Sequence, residues 1–133
     1  MEVKTSTKER FHVIRVDTPE MSATMAGVLD RQLQELLKDK VRNVVLNLSG
    51  VKSLQEEGAE TLVRTQQKFY DEGASFVVCE MTRDVEEFLD RTDLLELMNV
   101  TPTESEAYDI VQMEEIEREL LDEDFDEEES RPL

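Results

Sequence analysis

The stretch from Asn43 to Gly58 constrains the fold of this chain more than any other. It opens with an apolar run flanked by asparagine, passes through a Ser-Gly turn signal, and ends in two adjacent carboxylates where a helical pattern begins. A short apolar run bounded by a turn signal is typical of a strand buried on both faces. The stretch therefore predicts a buried strand, a loop and a helix N-terminus in succession.

Strand and helix patterns alternate on both sides of this stretch. A β-branched and aromatic strand is predicted over residues 11–16, and a helix with Ser22 as N-cap follows it. A second helix is predicted after Gly58, with Gly73 as its C′ residue, and a second buried strand over residues 76–81. Because a helix connects the two buried strands, they should be parallel and joined by a right-handed crossover.

The flanking segments complete an α/β pattern. Residues 2–7 are compatible with a short edge strand, Thr82 can cap a short helix, and a very short last strand is predicted over residues 98–101. Thr103 and Glu106 have the spacing of a capping box, so a final helix should begin there. We therefore predict one α/β domain with a mixed sheet of four to five strands and about four helices.

Charge divides the chain into two parts. The formal net charge is -18, and the residues from Glu114 to the end hold eleven acidic residues and two arginines. Blocks of like charge are usually solvated and disordered. We therefore place a domain at residues 1–115 and a disordered acidic tail at residues 116–133. An alternative is that the tail docks on a basic surface, with Phe125 as an apolar anchor.

The charge and the cysteine content also limit the function. Such an acidic chain should be repelled by phosphate backbones and anionic membrane surfaces, so we expect neither nucleic-acid binding nor direct membrane binding, whereas a basic protein partner is compatible. The lone cysteine, Cys79, fits a reducing compartment. No apolar run approaches the length of a membrane span. A soluble cytoplasmic protein is the expectation.

Candidate catalytic residues are few. His12 and Cys79 each lie alone on strands predicted to be interior, where no base is at hand to activate a nucleophile. Glu56, Glu57 and Glu60 could offer oxygen ligands to a cation, but their spacing matches no known binding loop. No glycine-rich phosphate cradle is present. We therefore predict that the protein is not an enzyme and has no catalytic residue, metal site or cofactor.

Two segments resemble the STAS domain, the module of anti-sigma-factor antagonists and of the cytoplasmic tails of sulfate transporters. Residues 44–51, VVLNLSGV, are similar to the strand and turn of that family, and residues 88–97, FLDRTDLLEL, to its short helix, threonine turn and leucine-rich segment. The resemblance implies a STAS fold over roughly residues 2–115. It also implies a non-enzymatic regulatory module that binds a protein partner, such as a kinase-like anti-sigma factor, in the regulation of transcription.

The loop before the second helix departs from the family pattern. In regulated members this loop reads Asp-Ser-Ser-Gly or similar, and a partner kinase phosphorylates the hydroxyl residue beside the glycine. Alignment on Gly58 places Gln55 at the aspartate position and Glu57 at the phosphoacceptor position. The resemblance therefore implies a partner-binding loop without its phosphoacceptor, made of Ser53, Leu54, Gln55, Glu56, Glu57 and Gly58.

Three interpretations of this loop stay open. Glu56 and Glu57 suit a helix N-terminus electrostatically without any function, at about 0.3–1 kcal/mol each when exposed. Glu57 can instead hold the loop in a state that partly resembles phosphorylation, since it carries one charge where phosphoserine carries about -1.5 to -2. In the third interpretation, Ser53 or Thr61 accepts the phosphate.

Two functions from different classes follow from these observations. The first is phosphorylation-independent binding of a protein partner by an anti-sigma-factor antagonist-like module. The second is a structural STAS subunit of a larger complex, such as the one that sits on the ATPase of a bacterial lipid-transport system.

Overall fold

The protein consists of a central sheet, a short two-stranded ribbon and four α-helices. The structure, a computed structural model, describes residues 1–130, with side chains up to residue 122. Short 3-10 turns at Leu36–Lys38 and Leu95–Leu97 follow the first and third helices. In chain order the elements are β1 (Glu2–Thr7), β2 (Phe11–Asp17), β3 (Glu20–Met21), α1 (Ala23–Glu35), β4 (Asn43–Gly50), β5 (Ser53–Leu54), α2 (Glu56–Asp71), β6 (Phe76–Cys79), α3 (Arg83–Arg91), β7 (Val100–Thr101) and α4 (Glu104–Ser130).

The central sheet has five strands in the order β1-β2-β4-β6-β7. The strand predicted from the apolar run, β4, lies in the middle, parallel to both β2 and β6, and β7 is parallel to β6. Only β1 runs antiparallel, at the edge of the sheet beside β2. The mixed five-stranded sheet and the four helices confirm the predicted fold class. The ribbon of β3 and β5 is separate from this sheet.

Alternation along the strands divides the apolar side chains between two cores. On β4, Val44, Leu46 and Leu48 point to the core that also holds the buried side chains of α1, α2 and α3. Val45 points to the opposite face, where it packs with Val111 of α4. Because successive side chains of a strand face opposite sides, a run that is apolar at nearly every position requires helices on both faces. Three helices therefore cover one face and α4 covers the other.

Local sequence signals begin and end the helices as predicted. The Ser22 hydroxyl accepts a hydrogen bond from Met25 N–H at 3.2 Å, and Thr82 caps α3 in the same way through Val85 N–H. Glu106 and Thr103 form the reciprocal bonds of a capping box at the start of α4. Gly73 follows α2 with φ of 74°, a conformation that costs glycine little. Each such N-cap typically contributes about 1 kcal/mol.

Helix α4 continues beyond residue 115, where we placed the end of the domain. Arg118 donates hydrogen bonds to Asn43 Oδ1 at 3.1 Å and to Ser75 Oγ at 3.0 Å, so its contacts with the sheet extend past that residue. The structure places residues 116–130 of the predicted tail in α4, and residues 131–133 lie outside the described part of the chain. The docking of Phe125 stays a prediction, because Phe125 lies beyond the described side chains. Among the described helices, none is long and apolar enough to cross a membrane.

Candidate functional site

The predicted partner-binding loop is attached to the segment that precedes α1. Strand β5 pairs in parallel with β3, so that Ser53 lies beside Glu20. Pro19 O accepts hydrogen bonds from the N–H groups of Lys52 and Ser53, at 2.8 and 2.9 Å, and Met21 O accepts one from Gln55 N–H at 3.0 Å. These backbone bonds hold the loop against the start of α1, and they fix the position at which α2 begins.

Gln55 stabilises the neighbouring helix with its side chain. Gln55 is the N-cap residue of α2, yet its side chain forms no cap bond with that helix. Its Oε1 atom instead accepts a hydrogen bond from Ala23 N–H, the first residue of α1, at 2.9 Å. The side chain therefore links the N-termini of the two helices, and the first turn of α2 has no side-chain cap of its own.

Leu54 and Gly58 form the buried side of the loop. Leu54 packs in the larger core with 7% of its surface exposed. A Cβ atom added to Gly58 would lie 3.4 Å from Ala26 Cβ and from Ser22 O, so α1 and α2 approach closely at this position. Both residues are buried and unavailable to a partner, so these two members of the predicted set hold the loop in place.

Ser53, Gln55, Glu56 and Glu57 form the exposed side of the loop. Glu56 and Glu57 are the acidic residues in the first turn of α2. Within the described residues, their carboxylates form no hydrogen bond or ion pair. The N-terminal N–H groups and the helix dipole favour negative charge at this place. The loop therefore presents two free carboxylates over an uncapped helix N-terminus.

The two alternative phosphoacceptors differ in their surroundings. Ser53 is exposed at the start of β5. Thr61 is half-buried, and its hydroxyl donates to Glu57 O at 3.0 Å and accepts a hydrogen bond from Arg64 Nη2 at 3.1 Å. A hydroxyl held in this way must break its bonds before it can react, so Ser53 is the more accessible of the two groups.

His12 and Cys79 are both buried in the sheet, as predicted. His12 Nε2 lies 2.8 Å from Val41 O and Nδ1 lies 2.9 Å from the Thr7 hydroxyl, so each ring nitrogen has a partner. Cys79 is fully buried, and this burial, together with the charges of Glu104 and Glu80, raises the pKa of its thiol to about 12. Its thiol is therefore protonated and unreactive at neutral pH.

Sequence reasoning missed a polar cluster beneath the first turn of α4. Asn47, buried on β4, donates to Glu104 Oε2 at 2.6 Å, and the Tyr108 hydroxyl donates to the other oxygen of the same carboxylate. The Glu104 N–H donates to Glu80 Oε2 at 2.9 Å, and Glu80 has the left-handed φ of 57°. The signal in the sequence is Asn47, the one polar residue inside the apolar run of residues 44–48.

Electrostatics keep the Glu104 carboxylate in this cluster ionised. Burial opposes ionisation, but the hydrogen bonds from Tyr108 and Asn47 and the charges of Arg15 and Lys8 outweigh it and lower the pKa of Glu104. A carboxylate saturated by such bonds is a structural anchor rather than a proton donor. We therefore assign this cluster to the docking of α4 on the sheet.

Both tyrosines of the protein should titrate at unusually high pH. Burial and the hydrogen bond to Glu114 raise the pKa of Tyr70 to about 12, and burial and the bond to Glu104 raise that of Tyr108 to about 12. In an unfolded chain, the pKa of tyrosine is about 10. The stability that these phenols contribute is thus complete below about pH 10 and is lost as the pH rises towards about 12.

A spectrophotometric titration of phenolate, in native protein and in urea, tests the raised pKa values of the two tyrosines. We expect phenolate to form near pH 10 only in urea, and Tyr70→Phe and Tyr108→Phe each to remove one titrating group. Native phenolate that forms at the same pH as in urea would contradict the assignment of both hydrogen bonds.

The largest described cavity and the acidic side chains give no further candidate binding site. A cavity of about 510 Å³ lies where β2 and β4 begin, at the end of these strands away from the loop. It is lined in part by Arg10, Arg42 and Arg118 and by the acidic Glu115 and Glu119. Its cations and carboxylates face one another, so it has no net preference for an anion. Among the described residues, no three His, Cys, Asp or Glu side chains are arranged to hold a metal ion.

A comparison with protein-family models identifies the family of this chain. The model of the STAS domain matches residues 2–107, which is most of the sequence. The chain belongs to the STAS domain family. Among curated protein sequences, no relative matches this STAS protein. The family match agrees with the resemblance found in residues 44–51 and 88–97.

Solved structures share the fold of this STAS protein at low sequence identity. An anti-sigma-factor antagonist from Mycobacterium paratuberculosis is 22% identical with a TM-score of 0.71, over 84% of this chain and 93% of that one. A serine-to-glutamate variant of RsbS from Moorella thermoacetica is 14% identical with a TM-score of 0.67, over 84% and 96%. The phosphorylated form of the Bacillus cell fate determinant SpoIIAA is 12% identical with a TM-score of 0.60, over 83% and 99%.

Proposed function

We propose that this STAS domain is a non-enzymatic regulatory module of the anti-sigma-factor antagonist kind, which binds a protein partner through the exposed side of the loop at residues 53–58. The observation that carries the proposal is the pair of free carboxylates at Glu56 and Glu57, over the N-terminus of α2. A cytoplasmic location and a kinase-like anti-sigma factor as partner belong to the same proposal.

Rigid attachment of the loop supports a binding role. The backbone bonds to Pro19 and Met21 and the Gln55 bond to α1 hold the carboxylates in a fixed geometry. Because the loop is already held in place, a partner that binds it has little conformational entropy of the loop to overcome. The partner's own surface should carry Lys or Arg opposite Glu56 and Glu57, since complementary charges fix register and exclude wrong partners.

Replacement of the phosphoacceptor by glutamate makes the interaction independent of phosphorylation in this proposal. Glu57 is exposed in the first turn of α2, where the family carries its phosphate. A carboxylate uses the same helix N-terminus as a phosphate would, but with a single charge and a flat group of two oxygens. The loop is thus permanently negative, and any switching lies in the partner.

The direct test is incubation with ATP and a kinase-like anti-sigma factor from the same organism. We expect mass spectrometry to find no phosphate on residues 53–61 of the wild-type chain. In Glu57→Ser, which restores a hydroxyl at an exposed position, we expect phosphate at residue 57. Stoichiometric phosphate on wild-type Ser53 or Thr61 would contradict the proposal.

A binding measurement tests the role of the charge. Glu57→Gln removes the charge at nearly constant size, and we expect it to weaken partner binding about tenfold, or about 1.4 kcal/mol. The matched control is Asp71→Asn, the same charge change at the other end of α2, about 20 Å away. We expect the control to bind like wild type. A stable complex with a transporter ATPase that is insensitive to Glu57→Gln would instead support the structural-subunit alternative.

A further inference from the structure

Helix α4 has a second apolar face that no described residue covers. Ala107 and Val111 are fully buried against the sheet and form the inner face. Met113 follows Val111 by two residues, and at about 100° per residue this turns its side chain to the opposite side of the helix. The outward side chains are well exposed, at 55% for Met113, 47% for Ile116 and 54% for Leu120.

These three residues form one continuous stripe. Their spacing of i, i+3 and i+7 places them along one line of the helix surface, the arrangement of the contact seam between paired helices. Leu121, at 66% exposure, lies beside the stripe. Singly exposed apolar residues are common, whereas an aligned set of them marks an interaction surface. The stripe, defined as Met113, Ile116 and Leu120, therefore has the form of a helix-docking surface.

Acidic residues flank the stripe. Glu117 and Glu119 are exposed on either side of the stripe, and Asp109 is exposed at its N-terminal end. Arg118, a basic residue in the same part of α4, is directed inward, where it donates to Asn43 and Ser75. From Glu114 to the end, the sequence holds eleven acidic residues and two arginines. The apolar stripe is thus set in a strongly negative surface.

This charge decides what can cover the stripe. A second copy of the chain would bring two equally acidic helices together, and like charges that face each other across a helix pair are destabilising. A helix with an apolar seam and Lys or Arg on either side would bury the stripe and neutralise its flanks. We infer that the outer face of α4 binds a basic amphipathic helix of another protein.

The docking surface is separate from the proposed partner-binding loop. The loop lies where α1 and α2 begin, on the face of the sheet that these helices cover, whereas α4 lies on the other face. The two surfaces can therefore be engaged at the same time by different proteins. Failure of one interaction leaves the other unaffected, so the two proposals can be tested apart.

The experiment uses the full chain and a synthetic three-heptad peptide with Leu at a and d and Lys at e and g. We expect binding by fluorescence anisotropy at physiological salt, and at least tenfold weaker binding to the triple variant Met113→Ser, Ile116→Ser, Leu120→Ser. Leu97→Ser is the matched control because Leu97 is equally exposed, at 54%, on a different element. It should bind like wild type. Circular dichroism verifies that each variant is folded.

Peptide controls separate the stripe from charge alone. A peptide with Glu in place of Lys, and one with the same composition in scrambled order, should each bind at least tenfold more weakly than the basic helix. Equal binding of the triple variant and wild type, equal binding of the scrambled peptide, or no binding of the basic peptide would overturn the inference. A dimer of the wild type in analytical ultracentrifugation that is absent in the triple variant would also overturn the inference, because a second copy of the chain would then cover the stripe.

Discussion

Replacement of Gly50 by alanine should lower the free energy of unfolding by about 2 kcal/mol. Gly50 ends β4 beside Asp17 of β2, and an added Cβ atom would lie 2.8 Å from Val16 O and 3.0 Å from Asp17 Cα. Both contacts are with backbone atoms, which cannot move away by a rotamer change. Overpacking of this kind typically costs about 1–3 kcal/mol.

The measurement is urea denaturation of the wild type and of Gly50→Ala, with stability read from the midpoint at constant slope. Gly27→Ala is the matched control, because an added Cβ at Gly27 meets nothing within 4 Å in the interior of α1. Alanine there should stabilise the protein by about 0.5–1 kcal/mol, since glycine weakens a helix interior. A similar shift of both midpoints in the same direction would refute the steric explanation for Gly50.

Replacement of Asn43 by leucine should cost about 3 kcal/mol. Asn43 is 5% exposed at the start of β4. Its Oδ1 atom accepts bonds from Ser75 N–H at 2.8 Å and from Arg118, and its Nδ2 group donates to Arg10 O at 2.9 Å. Leucine has the same branching and the same number of side-chain heavy atoms, but it leaves these groups without their partner. Each buried polar group left unsatisfied costs about 1–3 kcal/mol.

Arg118→Met separates the contributions within this network. It removes one half-buried donor and leaves the Ser75 N–H bond to Asn43 in place. We therefore expect a loss below about 1 kcal/mol in the same urea titration. If Arg118→Met and Asn43→Leu are equally destabilising, the unsatisfied backbone N–H of Ser75 is not the main cost.

Asn43 and Gly50 lie at opposite ends of β4, and they show how the central strand serves the proposed function. Asn43 joins the starts of β2, β4 and β6 to α4, whereas Gly50 lies just before the loop at residues 53–58. A clash at Gly50 therefore displaces the chain that leads to Glu56 and Glu57. The proposed partner-binding loop is therefore positioned in part by close packing at the end of a buried strand.

Local signals in the sequence were sufficient for most of the architecture. The apolar run in β4, the helical spacing around it and the caps at Ser22, Thr82 and Thr103 all act within a few residues. Hydrogen bonds of this range are determined by neighbouring side chains, so the same residues form them in any compatible fold. The alternation of strands and helices then left few topologies with parallel pairing.

Contacts between distant residues decided the details of the site. Leu54 and Gly58 belong to the predicted loop, but the larger core and the approach of α1 remove them from the surface. Gln55 is the N-cap residue of α2, but its side chain accepts a hydrogen bond from Ala23 N–H of α1, 32 positions away. No periodicity in the sequence encodes such pairs, because their geometry exists only after the helices have packed.

By itself, the sequence determined the order of the five sheet strands and the four helices, and it predicted a loop at the N-terminus of α2 with Glu57 at the phosphoacceptor position. It did not predict the ribbon of β3 and β5. The tertiary structure alone decided which loop residues are exposed, that Asn47 and Tyr108 hold Glu104, and that Met113, Ile116 and Leu120 face outward. The physical reason is range: capping and periodicity act between near neighbours, whereas burial depends on which surfaces the folded chain brings together.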